Sequence, residues 1–236
     1  MATLSVVHHS PHGHTRALAD RIARGAESVP DVEVRLIEIR GDQVVQGRWS
    51  DEATMELLRR SDTIVFGAPT YMGSLSAVFK AFLEGAFHPF LGQEWKDKLA
   101  GGFTHSASQN GDKLFSLQQL AVFAAQMNMQ WVSVGDSAGN NWTGGTVYDV
   151  NRLGSWLGVM GQSNVDEGPD AVGAHGDMVT AERYGSRLAE LTARWVHGRA
   201  YRIQRHTLED FREISARSAA EAKARIRAED PRCTSM

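Results

Sequence analysis

Residues 8 to 15 read HHSPHGHT, which places two hydroxyls, four imidazoles and a glycine in one short stretch. Ser10 and Thr15 can each donate to an anion oxygen, and Gly13 allows close backbone approach because it has no Cβ. The stretch follows TLSVVH (3–8), a β-branched run without helical period. It precedes a run in which Leu18, Ile22 and Ala26 recur every four residues. Strand, loop and helix in that order put the hydroxyls beside the free N–H groups and positive dipole end of a helix, where a phosphate is favoured. Neither G-x-G-x-x-G nor G-x-x-x-x-G-K-[ST] occurs there, so a monophosphate fits better than a pyrophosphate or a P-loop nucleotide. The loop holds no Lys or Arg and only Arg16 follows it. Neutral donors would therefore do the binding, at about 1.5–3 kcal/mol for each hydrogen bond to a charged group. Simple capping of the helix by Ser10 and Thr15 is the competing reading.

Two later loops have similar character. GAPTYMGS (67–74) ends one apolar run, with Pro69 and Gly73 bracketing Thr70, Tyr71 and Met72, and THSASQNGDK (104–113) ends another. His8, His9, His12 and His14 invite a metal hypothesis. However, adjacent strand residues face opposite ways and no carboxylate or cysteine completes a set, so no metal is expected.

The elements that must carry these loops alternate. Strands are expected at 3–8, 32–39, 62–69, 99–106 and 129–135, and helices at 14–29, 52–61, 76–87, 114–127 and 181–198. Such alternation implies a doubly wound parallel sheet, whose ligands bind at the carboxyl ends of the strands. A glycine-rich stretch without periodicity, 136–177, is expected to be an insertion after or within the fifth strand. Beyond 197 a segment with a candidate N-cap at Thr207 suggests an extra C-terminal helix over 207–229. The 236 residues thus read as one domain, 1–197, with a helical extension at 198–236.

Composition excludes several classes. A net charge of −3 offers no footprint for nucleic acid, and no apolar run approaches the roughly 20 residues that span a membrane. The single cysteine, Cys233, excludes an internal disulfide and suits a reducing, cytoplasmic setting.

S-x-x-G-x-T at 10–15, G-A-P-T-Y-M-G-S at 67–74 with F-K-A-F-L-E at 79–84, K-L-A-G-G-F at 98–103 and Y-G-x-R-L-A-E-L at 184–191 resemble the flavodoxin-like NAD(P)H:quinone oxidoreductases of the WrbA type. The resemblance implies an α/β flavodoxin-like fold, a five-stranded sheet in the order 2-1-3-4-5, and FMN as cofactor. Ser10, His12, Gly13, His14 and Thr15 would hold the FMN phosphate. Pro69, Thr70, Tyr71, Met72 and Gly73 would line the isoalloxazine and ribityl chain, and Ser106, Ala107, Ser108, Gln109, Asn110 and Gly111 the other edge of the ring. Hydride from NAD(P)H and two-electron reduction of a quinone would alternate at one site, with the flavin carrying the chemistry and no catalytic side chain required. His175 is a candidate for protonating the reduced quinone, and Phe90, Trp95 and Trp142 are candidates on the substrate side. Trp142 also suits a plain anchoring role. A homo-oligomer, dimer or tetramer, is implied. The chain departs from the pattern in its S-A-S-Q-N-G-D-K loop, in Phe90 at a position where the family has tryptophan, and in its long tail. Reduction of FMN, nitro or azo compounds is one alternative, and a non-enzymatic flavodoxin-type electron carrier is another.

Overall fold

Ala2–His8, buried at every residue, forms β1 and lies inside a parallel sheet. The computed structural model describes residues 1–174, 176–204 and 211–216. Beside β1 stand β2 (Val32–Glu38), β3 (Thr63–Tyr71), β4 (Leu99–Ser106) and β5 (Gln130–Trp131), in the order β2-β1-β3-β4-β5. All four pairings are parallel, as the alternating sequence requires. Both faces are covered. Leu4, Val6, Val65 and Phe103 pack under α1 (His14–Glu27) and α6 (Gly176–His197). Val7, Ile64 and Phe66, from the intervening strand positions, face α2 (Glu52–Arg59), α3 (Ala77–Gly85) and α5 (Lys113–Gln126). This switch of face at each residue is the strand period of two. A short helix, α4 (Phe87–Leu91), follows α3. No helix among the described residues is long and apolar enough to cross a membrane.

The fifth strand differs from the continuous run expected at 129–135. β5 stops at Trp131, and its place beside β4 is resumed by β6 (Val159–Gln162), which pairs with Phe103–Ser106. The break therefore lies within the fifth strand and spans 132–158, so β6 falls inside the stretch expected at 136–177 to be insertion, and a bridge across the break is visible. Val132 N–H still donates to Ala100 O, but the next ladder bond is interrupted by a phenol. Gly102 N–H donates to Tyr184 Oη at 3.3 Å, and that hydroxyl donates to Val132 O at 2.6 Å. Gly101 leaves room for the Tyr184 phenol, and Gly102 leaves room for the Trp131 ring. A Cβ on Gly101 would lie 2.5 Å from Tyr184 Oη, and one on Gly102 would lie 2.7 Å from the Trp131 ring. Burial pushes the Tyr184 phenol well above its ordinary pKa, so it stays a donor.

Helix α6 begins at Gly176, five residues earlier than periodicity suggests, because Asp177 in its first turn is fixed by Arg152. Beyond α6, Arg199–Gln204 and Phe211–Ala216 pair antiparallel. The helix expected at 207–229 falls on residues of which 211–216 are extended; the others lie outside the described set.

Tyr184→Phe would leave a buried N–H and a buried carbonyl without the phenol between them. The expected cost is about 1–3 kcal/mol, read as a lowered urea midpoint with an unchanged slope.

Candidate cofactor site

The three loops meet at one edge of the sheet. β1 ends at His8, and the chain passes through Ser10–Gly13 into α1. Gly13 has φ +86°, and a Cβ there would lie 3.0 Å from the Pro169 ring. Ser10 Oγ accepts from Arg16 N–H at 2.8 Å, which leaves its own proton free to donate. Arg16 is turned aside, its guanidinium paired with Asp20 at 2.9 Å and Glu38 at 3.7 Å. β3 ends in a tight hairpin that pairs Tyr71 with Ser74. The two turn residues, Met72 and Gly73, have φ of +49° and +76°, which is the geometry of a two-residue turn of type I′. β4 ends at Ser106 and leads through 107–112 into α5.

Side chains tie these loops together. His9 Nδ1 and Ser76 Oγ lie 2.8 Å apart, joining the first loop to the start of α3. Thr70 and Thr104 hydroxyls lie 2.8 Å apart, and Thr70 also donates to Ser116 Oγ on α5. His14 stacks on His105 with ring centroids 4.9 Å apart, while His105 Nε2 meets Ser163 Oγ at 3.0 Å. The segment after β6 closes over the first loop, with Glu167 O 2.9 Å from His14 Nε2. Buried Lys113 donates to Ser106 Oγ, Ser108 O and Gln109 O.

The residues expected from sequence fall into two groups. Ser10, His12, Gly13, His14 and Thr15 form the first loop, Pro69 to Gly73 the second, and Ser106 to Gly111 the third. The aromatic candidates do not join them. Trp95 is fully buried in the core against Phe66 and Phe123, so it is a packing residue and not a substrate contact. Phe90, on α4, lies beyond the far end of α3 in an apolar groove of about 1100 Å³ that also contains Leu83, Phe87, Phe115 and Val122. Trp142 is exposed, and its indole N–H donates to Gly139 O at 3.1 Å, which anchors its own loop. His175 lies outside the described residues. Sequence reading passed over His105, Ser163, Thr104, Ser116, Lys113 and Gln162, although His105 and Lys113 sit inside the polar run THSASQNGDK. Among the described residues no three His, Cys, Asp or Glu side chains are grouped to hold a metal ion.

The family described as NADPH-dependent FMN reductase matches residues 4–144. The flavodoxin FldP of Pseudomonas aeruginosa is 36% identical over 191 residues, covering 81% of this chain and 97% of that one. The quinone-oxidoreductase QR2 of Triphysaria versicolor is 33% identical over 149 residues, covering 59% and 73%. A crystal structure of a WrbA-like flavodoxin from Agrobacterium tumefaciens is 34% identical with TM-score 0.61, covering 82% of this chain and 99% of that one.

Three buried histidines shape the acid response of the site: burial, then His12, holds His9 below its ordinary value, and the other two are held lower still. His8 is fully buried with neither ring nitrogen hydrogen-bonded; burial, and then the Arg16 charge, hold its pKa down to about 4. Burial, then His14 and Lys113, hold His105 down to about 3. Both values lie below the 6.5 of an unfolded histidine, so the unfolded chain takes up protons first. Stability should be full above about pH 6.5 and fall as the pH drops toward 4, ahead of most carboxylate titration. Urea midpoints measured across that window test this, and His8→Leu should flatten the slope. An unchanged slope in that variant would remove His8 from the account.

Proposed function

The chain belongs to the NADPH-dependent FMN reductase family, and from that membership we propose that it is an FMN enzyme that oxidises NAD(P)H and reduces a quinone by two electrons. The observation that carries this reading is the convergence of three loops on one rim, joined by the His9–Ser76, Thr70–Thr104 and His14–His105 contacts. The donor set fits a phosphate monoester: a left-handed glycine, a serine hydroxyl with a free proton and the first turn of α1 supply neutral donors at a helix N-terminus. When bound, FMN supplies hydride acceptance at its ring and delivery of two electrons, with nucleotide and quinone alternating at one site. Ser10, His12, Gly13, His14 and Thr15 would hold the phosphate. Pro69 to Gly73 and Ser106 to Gly111 would flank the ring, and exposed Tyr71 and Met72 would limit what approaches it.

QR2 is named a quinone oxidoreductase, which favours this acceptor. FldP is named a flavodoxin, which keeps a second reading in view, an electron carrier with no nucleotide step. The modest net charge of −3 and the large insertion support the enzyme. Homo-oligomeric assembly is part of the proposal, because Phe87, Phe90, Phe115 and Val122 are exposed around one apolar groove that a second copy would cover, where Phe90 would serve a substrate at a neighbour's site. Sedimentation of the flavin-loaded protein as a monomer would end that role. The single cysteine supports a cytoplasmic setting.

Purified protein supplied with FMN should bind it, and NADH or NADPH added without oxygen should bleach it, with a quinone restoring the colour. Bound FMN that neither nucleotide bleaches turns the reading to the carrier, and failure to bind FMN ends both. Gly13→Asp should abolish FMN uptake while far-UV circular dichroism stays native. The left-handed φ disfavours a side chain, Pro169 leaves no room for one, and a carboxylate repels phosphate. Retained stoichiometric flavin in that variant would refute the assignment of the first loop.

A further inference from the structure

In the loop after β4, four consecutive carbonyls are bonded from below. Gln162 Nε2 donates to Ala107 O at 2.9 Å, and Lys113 Nζ to Ser108 O at 2.8 Å and Gln109 O at 2.9 Å. The backbone N–H of Lys113 donates to Asn110 O at 3.3 Å. In a planar trans peptide the N–H points opposite to the C=O. Carbonyls turned inward therefore leave the N–H groups of Ser108, Gln109, Asn110 and Gly111 facing outward, where Ser108, Gln109 and Asn110 are exposed.

The inward side is buried and charged. Lys113 is fully buried and gives its third bond to Ser106 Oγ at 2.9 Å. Behind it Gln162 is held by Arg152, whose Nη2 lies 3.2 Å from both Gln162 oxygens. Arg152 is fixed in turn by Asp177 at 2.8 and 2.9 Å. Two cations face one carboxylate, so one positive charge is left buried beneath the loop.

The geometry points to Lys113 as a positioning residue that acts on the flavin through the 107–111 loop. Its ammonium turns the carbonyls inward and so makes the loop a surface of N–H donors for the ring's edge, while the surplus charge favours the cofactor's reduced, more negative form. This rests on the FMN reading and goes beyond it by naming what shapes the third loop. Burial holds the Lys113 pKa down to about 8; Asp177 from α6 opposes that shift and Arg152 from the insertion adds to it. His105 of β4, the other titratable neighbour, is kept neutral by burial.

The test is FMN titration by fluorescence quenching at pH values below and above about 8, together with the midpoint potential of the bound flavin. Lys113→Met is expected to weaken FMN binding about 10- to 100-fold and to make the potential more negative. Wild-type affinity is expected to fall on the alkaline side, whereas Lys113→Arg should retain both affinity and potential there because a guanidinium keeps its proton. Gln162→Leu, which releases only Ala107 O, should give a smaller loss with the wild-type pH profile. If the wild-type protein takes up no FMN, the cofactor reading itself fails. If it binds FMN and Lys113→Met matches it in affinity, potential and pH profile, only the role of Lys113 is overturned. Should circular dichroism show Lys113→Met unfolded, wild type and Lys113→Arg decide: superimposed alkaline profiles overturn the proposal.

Discussion

A parallel sheet sends the carboxyl ends of all its strands to one edge, and each strand's crossover must begin there with a helix N-terminus. β1, β3 and β4 leave the sheet at His8, Tyr71 and Ser106, and α1, α3 and α5 begin at His14, Ala77 and Lys113. Three N-termini with positive dipole ends therefore share one rim before any side chain is chosen. The side chains then fix their spacing. His9 binds the start of α3, Thr70 binds β4 and α5, and His14 leans on His105. A shift in any one loop would be transmitted to the other two.

The same constraint explains the treatment of the fifth strand. An edge strand broken by a long excursion leaves ladder groups of β4 without partners, and buried unpaired groups cost about 1–3 kcal/mol each. Tyr184 reaches from α6 to bridge Gly102 N–H and Val132 O, and Trp131 donates its indole N–H to Leu157 O at 2.8 Å, closing the two sides of the gap. β6 can then return in register and deliver Gln162 and Ser163 to the rim, where they meet Ala107 O and His105.

Local patterns made most of this legible. Alternating runs place β1 to β4 and α1, α2, α3 and α5 within a few residues, and the loops at 10–15, 69–73 and 106–111 are visible because hydroxyls and glycines cluster where a strand ends; the short α4 has no such signal. What remained hidden depends on long-range packing. The run MQWVSVG is apolar enough to continue as a strand, and nothing in it tells that a tyrosine some fifty positions on would take its ladder bond. The resemblance makes Trp95 a substrate-side candidate, since the family has a tryptophan where this chain has Phe90, five residues earlier. Its place against Phe66 of β3 and Phe123 of α5 is set by contacts between segments far apart in the chain, which no local spacing encodes. The histidines were visible as a cluster but not as a division of labour, with His8 buried, His9 bonded to a serine and His14 stacked.

The insertion has two sides of different character. Its inner residues are committed: Asn151 N–H donates to Thr180 Oγ1 at 2.7 Å, Asn151 Nδ2 donates to Asp136 O, and Arg152 joins Asp177 to Gln162. Trp142, Tyr148 and Trp156 remain exposed. Substitution on the inner side reaches the loop after β4 through Gln162, whereas substitution on the outer side leaves that chain of bonds intact. A buried ion pair is weak as a source of stability, because desolvation offsets much of the attraction, but it fixes geometry well. Arg152 and Asp177 fit that second use, since their shared partner Gln162 donates to Ala107 O, the first of the carbonyls that orient the loop after β4. The excursion from the sheet thus brings to the rim a rigid support that the five-stranded frame alone does not contain.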